Sequence, residues 1–262
     1  TTLPIPSSCE SEMKSEHLGI GDRTFLINRL IQQAPINTLV REFFKNAEEN
    51  AALASEGNRT IRIYPTVIEG VNKLTFWNTG IGMDDAELRT ATDLSSSLNK
   101  VKALDGNFGI GAKVSGLAAS PEGVRYRSCK DGIVNEVTIG WDEDEDTYVR
   151  QVVTFADGSQ TLFCDVTALV QQSGVSTDLD WTEVVLLGQS PDHDTVEEPI
   201  GRGVEVDRSF IATSIFRRFA SFSEGVEVSV DVAMTKGGGK DETGRYRKLR
   251  TLNEIINRLE KH

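Results

Sequence analysis

Arg41-Glu42-Phe43-Phe44-Lys45-Asn46-Ala47-Glu48-Glu49-Asn50 is the stretch from which the rest of the chain can be read. Leu39, Val40, Phe43, Phe44 and Ala47 repeat at helical spacing, and Asn37 or Thr38 can cap a helix running to about Leu53. Glu42, Asn46 and Glu49 lie beside that apolar stripe at i, i+4 and i+7, on a common face. Magnesium prefers oxygen ligands and keeps several waters, so one protein oxygen plus phosphates suffices to hold it. Asn46 can supply that oxygen. Glu42, one turn earlier, can orient and deprotonate a water attacking a γ-phosphate. Taken alone, the pair also fits the ordinary surface of an amphipathic helix.

Two glycine-bearing segments follow. In Asn78-Thr79-Gly80-Ile81-Gly82-Met83, at a strand end, Gly80 and Gly82 permit a turn and a close approach that side chains would block. A base can lie there against backbone and the apolar Met83, with the Asn78 carbonyl oxygen accepting from an exocyclic amine. In Gly106-Asn107-Phe108-Gly109-Ile110-Gly111-Ala112-Lys113, Gly109 and Gly111 open a helix whose free amide groups and dipole favour phosphate, and Lys113 adds positive charge. Neither segment has the Walker spacing or the G-x-G-x-x-G spacing of a dinucleotide site. Either one alone also reads as a structural turn. In this order after the Glu42–Asn46 helix, they point to ATP.

Around these segments the text reads as helices, a hairpin, helices, then a run of strands. A short helix covers 23–33. Ile61–Ile68 and Lys73–Trp77 form a hairpin about Glu69-Gly70-Val71-Asn72, and Asp84–Thr92 is helical. Ser95–Asn107 is a polar loop, and a helix spans roughly Gly111–Ala119. Val124–Lys130 and Ile133–Gly140 flank an Asp131-Gly132 turn, with strands to follow at Tyr148–Phe155, Gln160–Asp165 and Glu183–Leu187. The acidic run Asp142–Asp146 is a solvated hairpin tip. Phe210–Phe222 is a helix, Val226–Met234 a closing strand, Lys236–Lys240 a glycine-rich hinge, and Tyr246–Lys261 a basic amphipathic helix. The layout is α+β: a two-layer sandwich of a mixed, mostly antiparallel sheet with helices on one face. Its divisions are an N-terminal arm (1–22), one domain (23–235) and a basic linker with a C-terminal helix (236–262).

The 262 residues carry a net charge of −12, which argues against a general nucleic-acid surface and leaves only the basic C-terminal segment for such a contact. No apolar run approaches the roughly 20 residues that span a membrane, and the polar stretch Thr1–Glu16 has no signal-peptide core. Cys9, Cys129 and Cys164 are widely spaced and form no metal-type pair, which suits a reducing, cytoplasmic setting.

Taken jointly, the segments resemble the GHKL superfamily of ATPases: DNA gyrase B-subunits, the ninety-kilodalton heat-shock chaperones, MutL and the sensor histidine kinases. Arg41–Asn50 looks like its N-box helix, Asn78–Met83 like its first glycine box and Gly106–Lys113 like its second. Trp181-Thr182-Glu183-Val184-Val185-Leu186 is similar to the late strand whose threonine contacts the purine. The resemblance covers roughly residues 25–235. It implies a Bergerat-type sandwich with Glu42 as general base and Asn46 as magnesium ligand. Asn78, Gly80, Gly82, Met83 and Thr182 would serve the adenine, and Gly109, Ile110, Gly111 and Lys113 the phosphates. Ser95–Asp105 would be the ATP lid, contributing Ser97 or Lys100. Two positions depart from the pattern: Asn78 and Glu49 each stand where the family has aspartate.

Of the three histidines, His17 has no room for the helical hairpin that carries a kinase phospho-acceptor, so the kinase branch does not fit. The Arg-Glu-Phe-Phe-Lys-Asn-Ala helix and the Gly-Ile-Gly-Ala-Lys turn look nearer to the chaperone, MORC and phage rIIA-like branch. Relatives add a second domain whose basic residue reaches the γ-phosphate, so hydrolysis by these residues alone is expected to be slow. Lid closure is expected to gate self-association or binding of a partner protein. The competing expectation is a non-catalytic module that uses nucleotide as a structural or regulatory ligand. Lys236, Lys240, Arg245, Arg247, Lys248 and Arg250 fit a solvated linker, a docking surface for an acidic partner or nucleic acid, or arginines folding back to the phosphates.

Overall fold

In a computed structural model, which describes residues 22–94, 110–201 and 203–260, a central hairpin organises the sheet. Its strands, β1 (Thr60–Ile68) and β2 (Val71–Thr79), are longer than the sequence suggested. The turn is only Glu69-Gly70, both residues in the left-handed region (φ 50° and 82°), which matches the twist of the flanking strands. Asp131-Gly132 does the same (φ 51° and 81°) between β3 (Gly123–Lys130) and β4 (Ile133–Asp142). Next come β5 (Thr147–Arg150) and the two-residue strands β6 (Val153–Thr154), β7 (Gln160–Thr161) and β8 (Cys164–Asp165). Then follow β9 (Trp181–Gly188), β10 (Glu227–Asp231) and β11 (Tyr246–Lys248). The main sheet has nine strands in the order β11-β10-β1-β2-β9-β3-β4-β5, with β8 also on β4. Among its pairings only β1 with β10 is parallel.

The helix layer is built from α1 (Arg23–Gln32), α2 (Leu39–Ala51), α3 (Asp85–Ala91), α4 (Ile110–Ala119) and α6 (Phe210–Arg218). Ile31, Phe43, Phe44, Leu88, Leu117 and Ile215 meet Ile61, Ile63, Leu74, Phe76, Val124, Val184 and Val228 in one core. The result is a two-layer α+β sandwich. Gly116 lets α4 come close to α2, since a Cβ there would stand 2.8 Å from the Phe43 ring. A short helix the sequence reading omitted, α5 (Thr167–Gln172), packs Val170 with Cys129, Val134 and Trp181. Cys129 alternates with the core-facing Tyr126 and Ser128, so α5 sits against the opposite sheet face.

The C-terminal region departs from the single helix expected over 246–261. Tyr246–Lys248 is an edge strand paired with β10, and Thr251 then starts α7 (Leu252–Leu259) with a reciprocal capping box to Glu254. The sheet therefore continues past residue 235, where the sequence reading closed the domain. β10 ends at Asp231 in a single 3-10 turn, and α6 stops at Arg218 rather than Phe222. The glycine-rich stretch is fastened: Arg208 donates to the Gly238 carbonyl. Three of the C-terminal cations are matched by acids, Lys240 by Glu197, Arg245 by Glu242 and Lys248 by Glu227. Among the described residues no helix is long and apolar enough to cross a membrane.

Candidate functional site

The polar face of α2 runs between the two glycine segments. At one end, Glu42 Oε2 lies 2.5 Å from where a Cβ on Gly111 would stand, in the first turn of α4. At the other end, a Cβ on Gly80 would overlap the Asn50 carboxamide, and Ile81 N–H points at Asn50 Oδ1 at 3.4 Å. Asn46 stands between them. Its Nδ2 is buried with no hydrogen-bond partner among the described residues. Buried polar atoms are nearly always paired, so an orphan here marks a position that can take a further polar partner. Rotating the amide by 180° exchanges its oxygen and nitrogen, so the position can offer either atom.

The residue completing this face is Asn50, not Glu49. Glu49 is exposed and pairs with Lys45 at 3.5 Å. A step of four residues advances 40° around a helix, so Glu42, Asn46 and Asn50 drift together toward the first glycine segment. The i+7 rule kept Glu49 in line with Glu42, but the partner surface lies on the Asn46 side.

The sheet supplies the floor. Asn78 on β2 pairs with Thr182 on β9, which pairs with Ser128 on β3, so the three form one cross-strand row. Asn78 is only 4% exposed, and its Nδ2 donates to the Thr79 carbonyl at 2.8 Å. That bond takes one of the two amide hydrogens and fixes which amide atom is the nitrogen, with Oδ1 as the acceptor. Ser128 is missing from the sequence reading because nothing local marks a serine on a strand; only the β3–β9 register brings it to Thr182. Its Oγ accepts from Met83 N–H at 2.8 Å and sits 3.1 Å from both Thr182 Oγ1 and the Trp181 carbonyl. Gly82, at φ +58°, lies so close to β3 that a Cβ would overlap the Cys129 carbonyl oxygen. Lys130 ties the end of β3 to the first turn of α3, bonding Glu87 at 2.6 Å.

The structure sends Lys113 away from Glu42. Two residues of helix rotate the side chain about 200° from Gly111, to the far face of α4. There it is 1% exposed, and its ammonium donates to the carbonyls of Ala91 (2.8 Å) and Asp93 (3.0 Å) at the end of α3. Burial lowers its pKa to about 8, opposed by Asp93 and aided by Arg150. Arg150 serves the same helix end, bonding Thr92 Oγ1 and the Arg89 carbonyl. Lys113 is thus a C-cap of α3, not a free cation beside α4. Ile110 begins α4. Ser97, Lys100 and Gly109 lie outside the described residues.

No cluster of three or more His, Cys, Asp or Glu among the described residues could hold a metal ion. The acidic run Asp142–Asp146 is a hairpin tip in which Asp142 accepts from the amides of Asp144 and Glu145. No family model matches the chain, and no curated protein matches it.

Proposed function

We propose that this chain is a GHKL-type, magnesium-dependent ATP-binding domain that hydrolyses ATP slowly, its nucleotide-bound form gating self-association or a partner protein. One observation carries the reading: Glu42, Asn46 and Asn50 line a single helix face whose two ends abut the two glycine segments. From Glu42 to Asn50 is about 12 Å of helix, on the scale of a nucleotide laid along it. The phosphates then lie at the Gly111 end, against the first turn of α4, and the base lies at the Asn78–Thr182 row.

The residues present fit magnesium held by one amide oxygen. Asn46 would be the ligand through its amide oxygen; the orphan atom is Nδ2, and the 180° amide rotation puts Oδ1 in its place. The ion, when bound, neutralises charge on the phosphate oxygens. Glu42 holds a water in line with the γ-phosphorus and takes its proton as the new P–O bond forms. The bond to the β–γ bridging oxygen breaks, and ADP leaves with those electrons. Asn78 Oδ1 accepts from the exocyclic amine of the base.

Glu42→Gln tests this. The variant keeps Mg-ATP binding and loses about 100-fold or more of turnover. Unchanged hydrolysis removes Glu42 from the mechanism. In a melting experiment, Mg-ATP at 100 times its Kd adds about 2.7 kcal/mol of stability, and no shift at saturation counts against nucleotide binding altogether.

A second reading, a binding module without turnover, is favoured by Lys113. With its ammonium committed to Ala91 and Asp93, one cation expected at the phosphates is engaged elsewhere. Stoichiometric ATP binding with no phosphate release by the unmodified chain selects that reading.

A further inference from the structure

Ser128 is fully buried on β3 and makes three polar contacts through one oxygen: Met83 N–H, the Trp181 carbonyl and Thr182 Oγ1. A serine hydroxyl has one proton and two acceptor sites. Met83 occupies one acceptor site. The Trp181 carbonyl can only accept, so it takes the Ser128 proton. What remains for Thr182 is the second acceptor site, and Thr182 fills it by donating its own proton. This is the one arrangement in which all three contacts are hydrogen bonds. The reverse, Ser128 donating to Thr182, leaves the contact with the Trp181 carbonyl without a proton, so only two of the three contacts are hydrogen bonds.

We infer that Ser128 is a positioning residue that fixes Thr182 as a hydrogen-bond acceptor toward the ligand. This rests on the ATP-binding reading and adds to it a cause of base selectivity. Asn78 is oriented in a similar way, since one of its two Nδ2 hydrogens goes to the Thr79 carbonyl and sets the amide's plane, with Oδ1 as its acceptor. The row therefore turns two acceptor oxygens, Asn78 Oδ1 and Thr182 Oγ1, toward the base. Two acceptors suit an amino group and repel a carbonyl oxygen. The site thus takes a 6-amino purine and rejects a 6-oxo purine, and it does so without the charge of a carboxylate.

The test compares ATP, inosine triphosphate and inorganic tripolyphosphate by calorimetric titration with magnesium. The unmodified chain binds ATP at least about tenfold tighter than inosine triphosphate. In Ser128→Ala the Thr182 proton is released and can rotate to donate to the 6-oxo group, so that preference narrows about tenfold while tripolyphosphate affinity is unchanged. In a Thr182→Val background the serine change leaves the ratio where it was, because Ser128 acts only through Thr182. If Ser128→Ala does not fold, Ser128→Cys, a weaker acceptor, narrows the ratio in the same direction. An unmodified chain that binds ATP without preferring it, or a preference that survives both serine variants, overturns the role of Ser128 alone. A chain that binds none of the three ligands overturns the nucleotide reading beneath it.

Discussion

The Glu42 carboxylate and the Gly111 backbone are in contact range across the α2–α4 interface, with Oε2 2.5 Å from the site a Gly111 Cβ would fill. Gly111→Ala therefore presses on the carboxylate and not on the fold. The carboxylate is the far end of a flexible side chain and can yield, so stability changes by less than about 1 kcal/mol. On the proposed mechanism turnover falls about 100-fold, because a displacement near 1 Å at the general base costs that much. Steady-state ATPase rates beside urea denaturation check both halves.

Gly80 and Gly82 differ in what surrounds them, so alanine separates them. At Gly82 a Cβ meets the Cys129 main-chain oxygen, and φ is +58°. Neither obstacle can move, and Gly82→Ala costs at least about 2 kcal/mol. At Gly80 the obstacle is the Asn50 side chain, which can rotate away. Gly80→Ala costs less than about 1 kcal/mol of stability and, on the proposed reading, weakens nucleotide binding. Equal destabilisation of the two variants in urea refutes this.

Lys113 makes stability depend on pH. Its ammonium titrates at about 8 in the folded protein, against an ordinary value of 10.5. Below pH 8 both states are charged and the burial cost is complete. Between pH 8 and 10.5 the unfolded chain holds a proton that the folded one lacks, so folding strengthens as pH rises. Lys113→Met has no such linkage. The stability of the unmodified chain relative to that variant rises by about 2 kcal/mol from pH 7.5 to 9.5. Denaturant unfolding at the two pH values measures it, and a constant difference contradicts it.

Asn78→Asp places there the aspartate of the GHKL pattern that the sequence resembles, and is predicted to harm the ligand-free protein. A carboxylate cannot donate to the Thr79 carbonyl, and at this depth it faces that oxygen unscreened. The cost at pH 7 is about 1–3 kcal/mol. Burial raises the new carboxyl above its unfolded value of about 3.9, so the loss grows as pH rises from 4 and fades on acidification. Melting temperatures from pH 4 to 7 for both chains decide the point.

Local signals carried a large part of this reading. Helix α2, the Asp131-Gly132 hairpin and the turn after Asn78 stand where periodicity and turn chemistry put them, and the hairpin expected about Glu69-Gly70-Val71-Asn72 is there with its turn tightened to Glu69-Gly70. Each is set by residues within one turn or one hairpin of each other. The polar face of α2 was legible for the same reason, down to Glu42 and Asn46.

What only the tertiary structure decided involves partners far apart in the chain. Asn50 joins the face because the first glycine segment packs on the Asn46 side of α2, and Glu49 turns outward to Lys45. Lys113 caps α3 because burying its ammonium requires acceptors, and the free carbonyls at Ala91 and Asp93 supply them. Ser128 meets Thr182 through a strand register 54 residues apart. Tyr246–Lys248 became an edge strand because β10 offered unpaired backbone groups, which outweigh the helix propensity of Arg247 and Lys248. Periodicity tells which side of an element is buried; it does not tell what that side will touch.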